Sequence, residues 1–198
     1  MARGRRPGGG NSRETIAAAA RALFGELGYD RTTIRGVAGS AGVDPSLVMH
    51  FYGSKQRLFI ETMQLPFDAP AVAEELAAGD RASVGRRLIG YLLEAWEQPD
   101  ARALFIGRAR AAASEPAAAK LLRDQITREL VGPLARRLGA DRPDLRAALV
   151  STQLIGWVFA RWILGVEALQ PLDRDEGVRV LGPTLQRYLV EPLDGSGR

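Results

Sequence analysis

His50 is the only histidine in 198 residues, and there is no cysteine. Those two facts bound the chemistry. Without cysteine there is no thiol nucleophile, no disulfide framework and no cysteine metal site. A single imidazole among Met49, Phe51 and Tyr52 has no second ligand or acid partner at the spacings that build a metal site or a triad. No Glu-x-x-His pair marks a di-iron bundle. The Gly8-Gly9-Gly10 run lacks the lysine and the strand of a phosphate loop. The chain therefore reads as a non-enzyme that needs no metal and no cofactor. His50 belongs instead to the stretch GVDPSLVMHFYGSK, residues 42–55, whose residue types suit a short helix presenting side chains to a partner.

Charge points to the nature of that partner. The net charge is +4, but residues 1–57 hold nine Lys+Arg against four Asp+Glu, and the rest of the chain is slightly acidic. A basic head on a near-neutral body suits a polyanion, while unpatterned surface charge remains the plainer reading of asymmetry alone. Only Lys55 and Lys120 are lysine, an arginine skew that reads as coding bias. No stretch reaches the ~18 apolar residues of a membrane-spanning helix. The start MARGRRPGGGNSRETIAAAARALF mimics a signal peptide, yet its apolar run is short, interrupted by Arg21 and spaced as an amphipathic helix. A cytoplasmic protein without membrane contact is expected.

Helical periodicity and helix breakers account for the remaining sequence. Residues 1–10 are Arg, Gly and Pro and predict a disordered basic arm. Asn11 with Glu14 starts a helix faced by Ile16, Ala20, Leu23, Phe24 and Leu27, and Gly28 stops it. Thr32 or Thr33 caps a second helix to Ser40. Asp44 and Pro45 start a third to Tyr52, and Ser54 caps a fourth. LPFDAPA at 65–71 reads as a break. Further helices are predicted at about 82–98, 100–113, 114–138, 144–168 and 173–189, with Pro133 and Pro183 as sites of kinking. The expected fold is all-α, with about nine helices.

Within this pattern, 34–51 has the packing needs of a helix-turn-helix. Val37 and Ala38 face inward, and Ala38 is small where a second helix crosses. Gly42 suits a turn of positive φ, and Val43, Val48 and Phe51 supply apolar contacts. The residues alone leave an ordinary αα-corner open as well. The stretch LFGELGYDRTTIRGVAGSAGVDPSLVMHFYGSKQRLF, 23–59, resembles the DNA-binding domain of TetR-family transcriptional regulators. LIGWVFARWILGVEAL followed by LGPTLQRYL resembles the end of their ligand domains, less specifically.

After the arm (1–10), the resemblance implies a three-helix DNA-binding domain (11–56) and a ligand-binding and dimerisation domain (57–198). It implies a homodimer on double-stranded DNA with a palindrome-like operator, and a repressor released by a small-molecule effector. The competing reading is a DNA-binding module that answers to a protein partner or has no inducer. Ser46, Leu47, Met49 and His50 are placed on the groove-facing helix, Phe51 near the backbone, and Thr33, Arg35 and Lys55 at phosphates. Met49 stands where relatives usually carry tyrosine, and Leu47 where a small or polar residue is common. Asp44 replaces the usual serine. Arg3, Arg5 and Arg6 either enter a minor groove or neutralise phosphates, or form an inert tail.

In the body, several polar and aromatic residues share faces with core positions. Trp96, Phe105, Arg108, Gln125, Glu129, Gln153, Trp157 and Arg161 are the candidates for a ligand pocket, against the plainer reading of core aromatics and solvent-facing charges. The apolar breadth of 144–168, with the last helix, suits half of a four-helix dimer interface. Trp162, Val178, Leu181, Leu185 and Tyr188 are its expected contacts, with Trp162 and Tyr188 as anchors.

Overall fold

The computed structural model describes residues 9–193, so the basic arm with Arg3, Arg5 and Arg6 lies outside the described residues. Three helices form the head: α1 (Gly9–Arg31), α2 (Ile34–Ala41) and α3 (Pro45–Tyr52). Then come α4 (Lys55–Thr62), α5 (Ala69–Ala78), α6 (Val84–Glu97) and α7 (Pro99–Ala111). α8 (Pro116–Arg123) runs on through a π-helical stretch, Asp124–Val131, into α9 (Gly132–Arg137). α10 (Pro143–Val158) likewise continues as a π turn over Phe159–Ile163, and α11 (Arg174–Val190) closes the chain. Counting continuous rods, this gives ten helices and no strand among the described residues.

The rod beyond the predicted nine is α5, inside the segment read as a break. The break itself is short, Met63–Asp68. Asp68 accepts a hydrogen bond from the Ala71 amide at 3.1 Å and caps the new helix, with Pro70 in its first turn. Proline there opens a helix rather than ending one. Ala69, Val72, Ala73 and Leu76 then bury one face of α5. At the other end of the chain, α1 starts at Gly9, two residues before the predicted Asn11, whose side chain lies outside the described residues.

Predicted caps recur in the head. Thr33, not Thr32, caps α2 by accepting from the Gly36 amide at 3.0 Å. Thr32 is buried, its hydroxyl directed at the carbonyls of Leu23 and Gly28. Gly28 (φ 79°) breaks the α1 rod as expected. Ile16, Ala20, Phe24, Val37, Ala38, Val48 and Tyr52 close the head's core. Phe24, Tyr29 and Phe59 pack as an aromatic trio with centroids 5.0–5.9 Å apart, joining α1 to α4.

Two close crossings fix the architecture. α1 lies across α7 where a Cβ on Gly25 would stand 2.9 Å from the Ala103 carbonyl oxygen and one on Gly107 3.0 Å from that of Phe24. In the body, α6 crosses α11 where a Cβ on Gly85 would stand 2.3 Å from the Gln186 amide nitrogen. Buried Arg146 ties α10 to α11. It donates to the Asp141 carbonyl (2.7 Å), the Asp141 carboxylate and the Tyr188 carbonyl (2.6 Å). The Arg146 guanidinium in turn holds the Asp141 carboxyl below its usual range.

Candidate DNA-reading helix and ligand cavity

Gly42 makes the turn before α3. At φ 66°, ψ 32° it occupies left-handed space that a side chain would strain. The Val43 amide then donates back to the Ala38 carbonyl at 3.0 Å. Asp44 starts α3, its carboxylate accepting from the Ser46 amide at 2.8 Å and the Ser46 hydroxyl at 2.5 Å. Those two bonds, the hydroxyl's first, hold the Asp44 carboxyl below its ordinary value. Val48 and Tyr52 anchor the helix from below, and the Tyr52 hydroxyl donates to the Arg13 carbonyl at 3.2 Å.

What α3 leaves outside is a single face. Ser46, Met49 and His50 are exposed, spaced as neighbours on one side of a helix. Met49 is 44% exposed, unusual for a side chain of its apolarity. Thr33 and Arg35 are exposed at the start of α2. The other three predicted contacts are more enclosed. Leu47 and Phe51 are half-buried and pack on the core. Phe51 lines a surface groove with Arg13, Glu14 and Glu61. The Lys55 ammonium lies 4.3 Å from the Tyr29 ring centre and donates to the Asp30 carbonyl at 3.2 Å, so one of its three hydrogens is spent on α1.

The body contains a cavity of about 30 Å³, room for little more than one or two waters. Its wall is apolar except for Gln125 and the Trp96 indole: Leu65, Phe67, Leu92, Phe105, Leu122, Ile126, Leu130, Leu154 and Val158 are among its residues. Leu65 and Phe67 come from the segment between α4 and α5. Of the predicted pocket residues, Trp96, Phe105 and Gln125 are on this wall. Trp96 and Arg161 also line a neighbouring cleft of about 180 Å³, with Arg102 and Trp162. The other four line neither cavity. Glu129 is exposed, Gln153 is half-buried with its amide directed at the Thr152 hydroxyl, and Trp157 is buried beneath Arg161. Arg108 does something else.

Arg108 is 1% exposed, and its guanidinium donates twice to the Met63 carbonyl, one bond at 2.5 Å, at the C-terminal end of α4. Burial pushes it down to about 9. One residue further on, Gln64 accepts from the Gln125 amide at 2.8 Å. Thus α4's end is tied to α7 by Arg108 and to the cavity wall by Gln125. The sequence signals for this junction were Arg108 and Gln125, polar residues on two different helices that share faces with core positions. Nothing in their spacing named a backbone carbonyl 45 residues away as the partner.

Two expected interface residues are used within the protomer. Leu185 is fully buried in the body's own core. Trp162 packs on Trp96 with ring centres 5.7 Å apart, with Arg102 5.5 Å from its ring centre. Val178, Leu181 and Tyr188 are half-buried on the core. The exposed apolar side chains of α10, its π turn and α11 are Leu145, Phe159 and Val180. Helical period alone identified the apolar helices but not which of their faces the rest of the chain would cover.

Comparison with known proteins bears on both halves. Residues 16–62 match the model for bacterial regulatory proteins of the tetR family, and 82–189 match the tetracyclin repressor-like C-terminal domain. The dual transcriptional regulator CecR of Shigella flexneri is 30% identical over 179 residues, covering 81% of this chain and 79% of CecR. A TetR-family regulator from Streptomyces coelicolor A3 is 34% identical over 94% of this chain and 99% of its own, with a TM-score of 0.60. SmeT, solved as a complex with triclosan, has the same fold at 21% identity and a TM-score of 0.68, over 94% of this chain and 96% of its own. No described helix is long and apolar enough to cross a membrane, and the family is one of regulators rather than enzymes. The chain belongs to the TetR family of transcriptional regulators.

Proposed function

We propose that this regulator acts as a two-fold dimer that represses transcription from a palindrome-like operator and releases it when a small molecule binds in the body. One observation carries the reading: Gln125 ties the cavity wall to Gln64, just past the end of the helix that follows the proposed DNA-reading helix, and Arg108 of α7 holds the neighbouring Met63 carbonyl. The cavity is too small for a ligand as it stands, so an occupant displaces Leu65, Phe67 or Gln125 and with them the end of α4. A molecule that binds the DNA-incompetent form tighter by about 1–3 kcal/mol shifts the operator equilibrium by roughly 5–150-fold.

Ser46, Met49 and His50 are the base-reading residues in this proposal. Met49 offers apolar contact such as a thymine methyl accepts, and His50 offers a donor. Thr33, Arg35 and Lys55 serve the phosphates, with Leu47 and Phe51 supporting the helix from its partly covered side. The dimer forms through the outer faces of α10 and α11 around Leu145, Phe159 and Val180. Two reading helices then lie about one DNA turn, ~34 Å, apart. A mobility-shift assay on DNA upstream of the protein's own gene, repeated with a panel of lipophilic compounds, tests the whole reading. Specific retention, with at least one compound that both stabilises the protein and frees the DNA, is the expected result. Retention that no stabilising compound relieves overturns ligand release.

A further inference from the structure

All three tryptophans of the chain, Trp96, Trp157 and Trp162, gather at one end of the body. Trp96 and Trp162 wall the cleft of about 180 Å³, which also receives two half-buried arginines, Arg102 and Arg161. The arginines are held in place without being neutralised. Arg102 Nε donates to the Trp96 carbonyl at 3.0 Å, and its guanidinium lies 5.5 Å from the Trp162 ring centre. Arg161 Nη2 donates to the carbonyls of Leu172 at 2.6 Å and Gln170 at 3.3 Å, and its guanidinium lies 5.5 Å from the Trp157 ring centre. Neither makes an ion pair among the described residues. Burial first, and then the charge of Arg102, lowers the Arg161 guanidinium from its usual range.

Nearby acids do not answer these charges. Asp173 is engaged as the cap of α11, accepting from the Glu176 amide at 2.8 Å, and Glu97 is exposed on the rim. Arg174, the third cation of the rim, is paired with Glu94 at 2.9 Å. The Trp96 indole N–H is also buried with no acceptor among the described residues. Besides the Glu97 and Asp173 carboxylates that also line the cleft, its unpaired cationic groups, the Arg102 and Arg161 guanidiniums, are donors. They call for a group that only accepts, and the planar fork of a guanidinium matches the two oxygens of a carboxylate. Trp96 is also a wall of the apolar cavity behind, beside Leu92, Phe105 and Val158.

From this we propose that the cleft and the cavity form one site for an amphiphilic carboxylic acid. Its carboxylate sits between Arg102 and Arg161, and its apolar body passes Trp96 into the cavity, which opens as Leu65 and Phe67 are displaced. The proposal deepens the ligand-release reading and rests on it for the effect on DNA, though not for binding.

Tryptophan fluorescence of the whole chain reads the binding, since Trp96 and Trp162 wall the site and Trp157 lies against Arg161. Decanoate, 1-decanol and acetate are the probes. The expected result is saturable decanoate binding at least 10-fold tighter than decanol and at least 100-fold tighter than acetate. Arg102→Gln and Arg161→Gln should each weaken decanoate at least 10-fold and leave decanol unchanged. Decanol binding reports that each variant is folded, and Arg102→Gln leaves the carbonyl contacts of Arg161 intact. Decanol binding as tightly as decanoate, or decanoate binding unaltered in both variants, overturns the acid site. Mobility shift with the same probes separates the two readings. Arginine-dependent decanoate binding that leaves the operator held sustains the acid site and removes ligand release. Release by decanol but not by decanoate does the opposite.

Discussion

Asp44 puts a carboxylate at the start of the helix proposed to face DNA, where it caps α3 and would oppose the polyanion at once. Its ordinary value is 3.8, and the bonds from Ser46 lower it in the folded head. A carboxyl depressed on folding contributes stability that is present above its unfolded value and is lost as pH falls through the folded one. The melting temperature of the head should therefore be flat from pH 7 to 5 and fall below about pH 4, and Asp44→Asn should flatten that fall. Met49, at 44% exposure, supports no core. Met49→Tyr should alter preference across operator variants in a mobility-shift assay and leave the melting curve unchanged. A binding profile identical to the parent's means Met49 does not touch bases. Arg108 is the opposite case, useful only where it is buried. Arg108→Met removes donors from the Met63 carbonyl, and a bond from a charged group is worth roughly 1.5–3 kcal/mol. The urea midpoint should drop by an amount equivalent to about 2 kcal/mol.

Helices whose caps and apolar faces lie close in sequence were legible before any coordinates. Asp44 and Pro45 start α3, Ser54 accepts from the Arg57 amide at the start of α4, and Asp173 caps α11 as their types and spacing foretell. α5 was not, because Pro66, Asp68 and Pro70 read as breakers until Asp68 is seen to be a cap. The two π stretches were hidden for a different reason. Hydrophobic periodicity records which residues are buried, whereas a π turn changes how many residues fit in a turn. Gln125 and Arg161 both lie on such stretches, so their directions drifted from those a 3.6-residue period assigns. Gln125 lies on the cavity wall, whereas Glu129, four residues later, is exposed. The crossing of α6 and α11 was equally silent, since a glycine in a helix looks like a weakness. A Cβ on Gly85 would meet backbone, which cannot swing away. Gly85→Ala should cost about 3 kcal/mol of stability in urea unfolding, far more than an exposed helical glycine would show.

At the scale of the whole molecule, the apolar residues left uncovered on α10, its π turn and α11 are the faces on which the proposed dimer rests. Val180 is 50% exposed. In the proposed dimer, Val180→Arg should yield a monomer by sedimentation with unchanged helicity, and operator binding should fall at least 100-fold as one of two half-sites is lost. A stable dimer in that variant would move the interface elsewhere. The head, for its part, is held to the body most closely at two places. One is the near-contact of α1 with α7 at Gly25 and Gly107, and the other is the pair of ties at Met63 and Gln64. A rigid piece pinned at two points keeps one easy freedom, rotation about the line between them. Sliding and stretching are closed to it. The separation of two reading helices in a dimer is then governed by an angle at each shoulder, and whatever presses on the Met63–Asp68 segment turns the shoulder rather than pushing the hand.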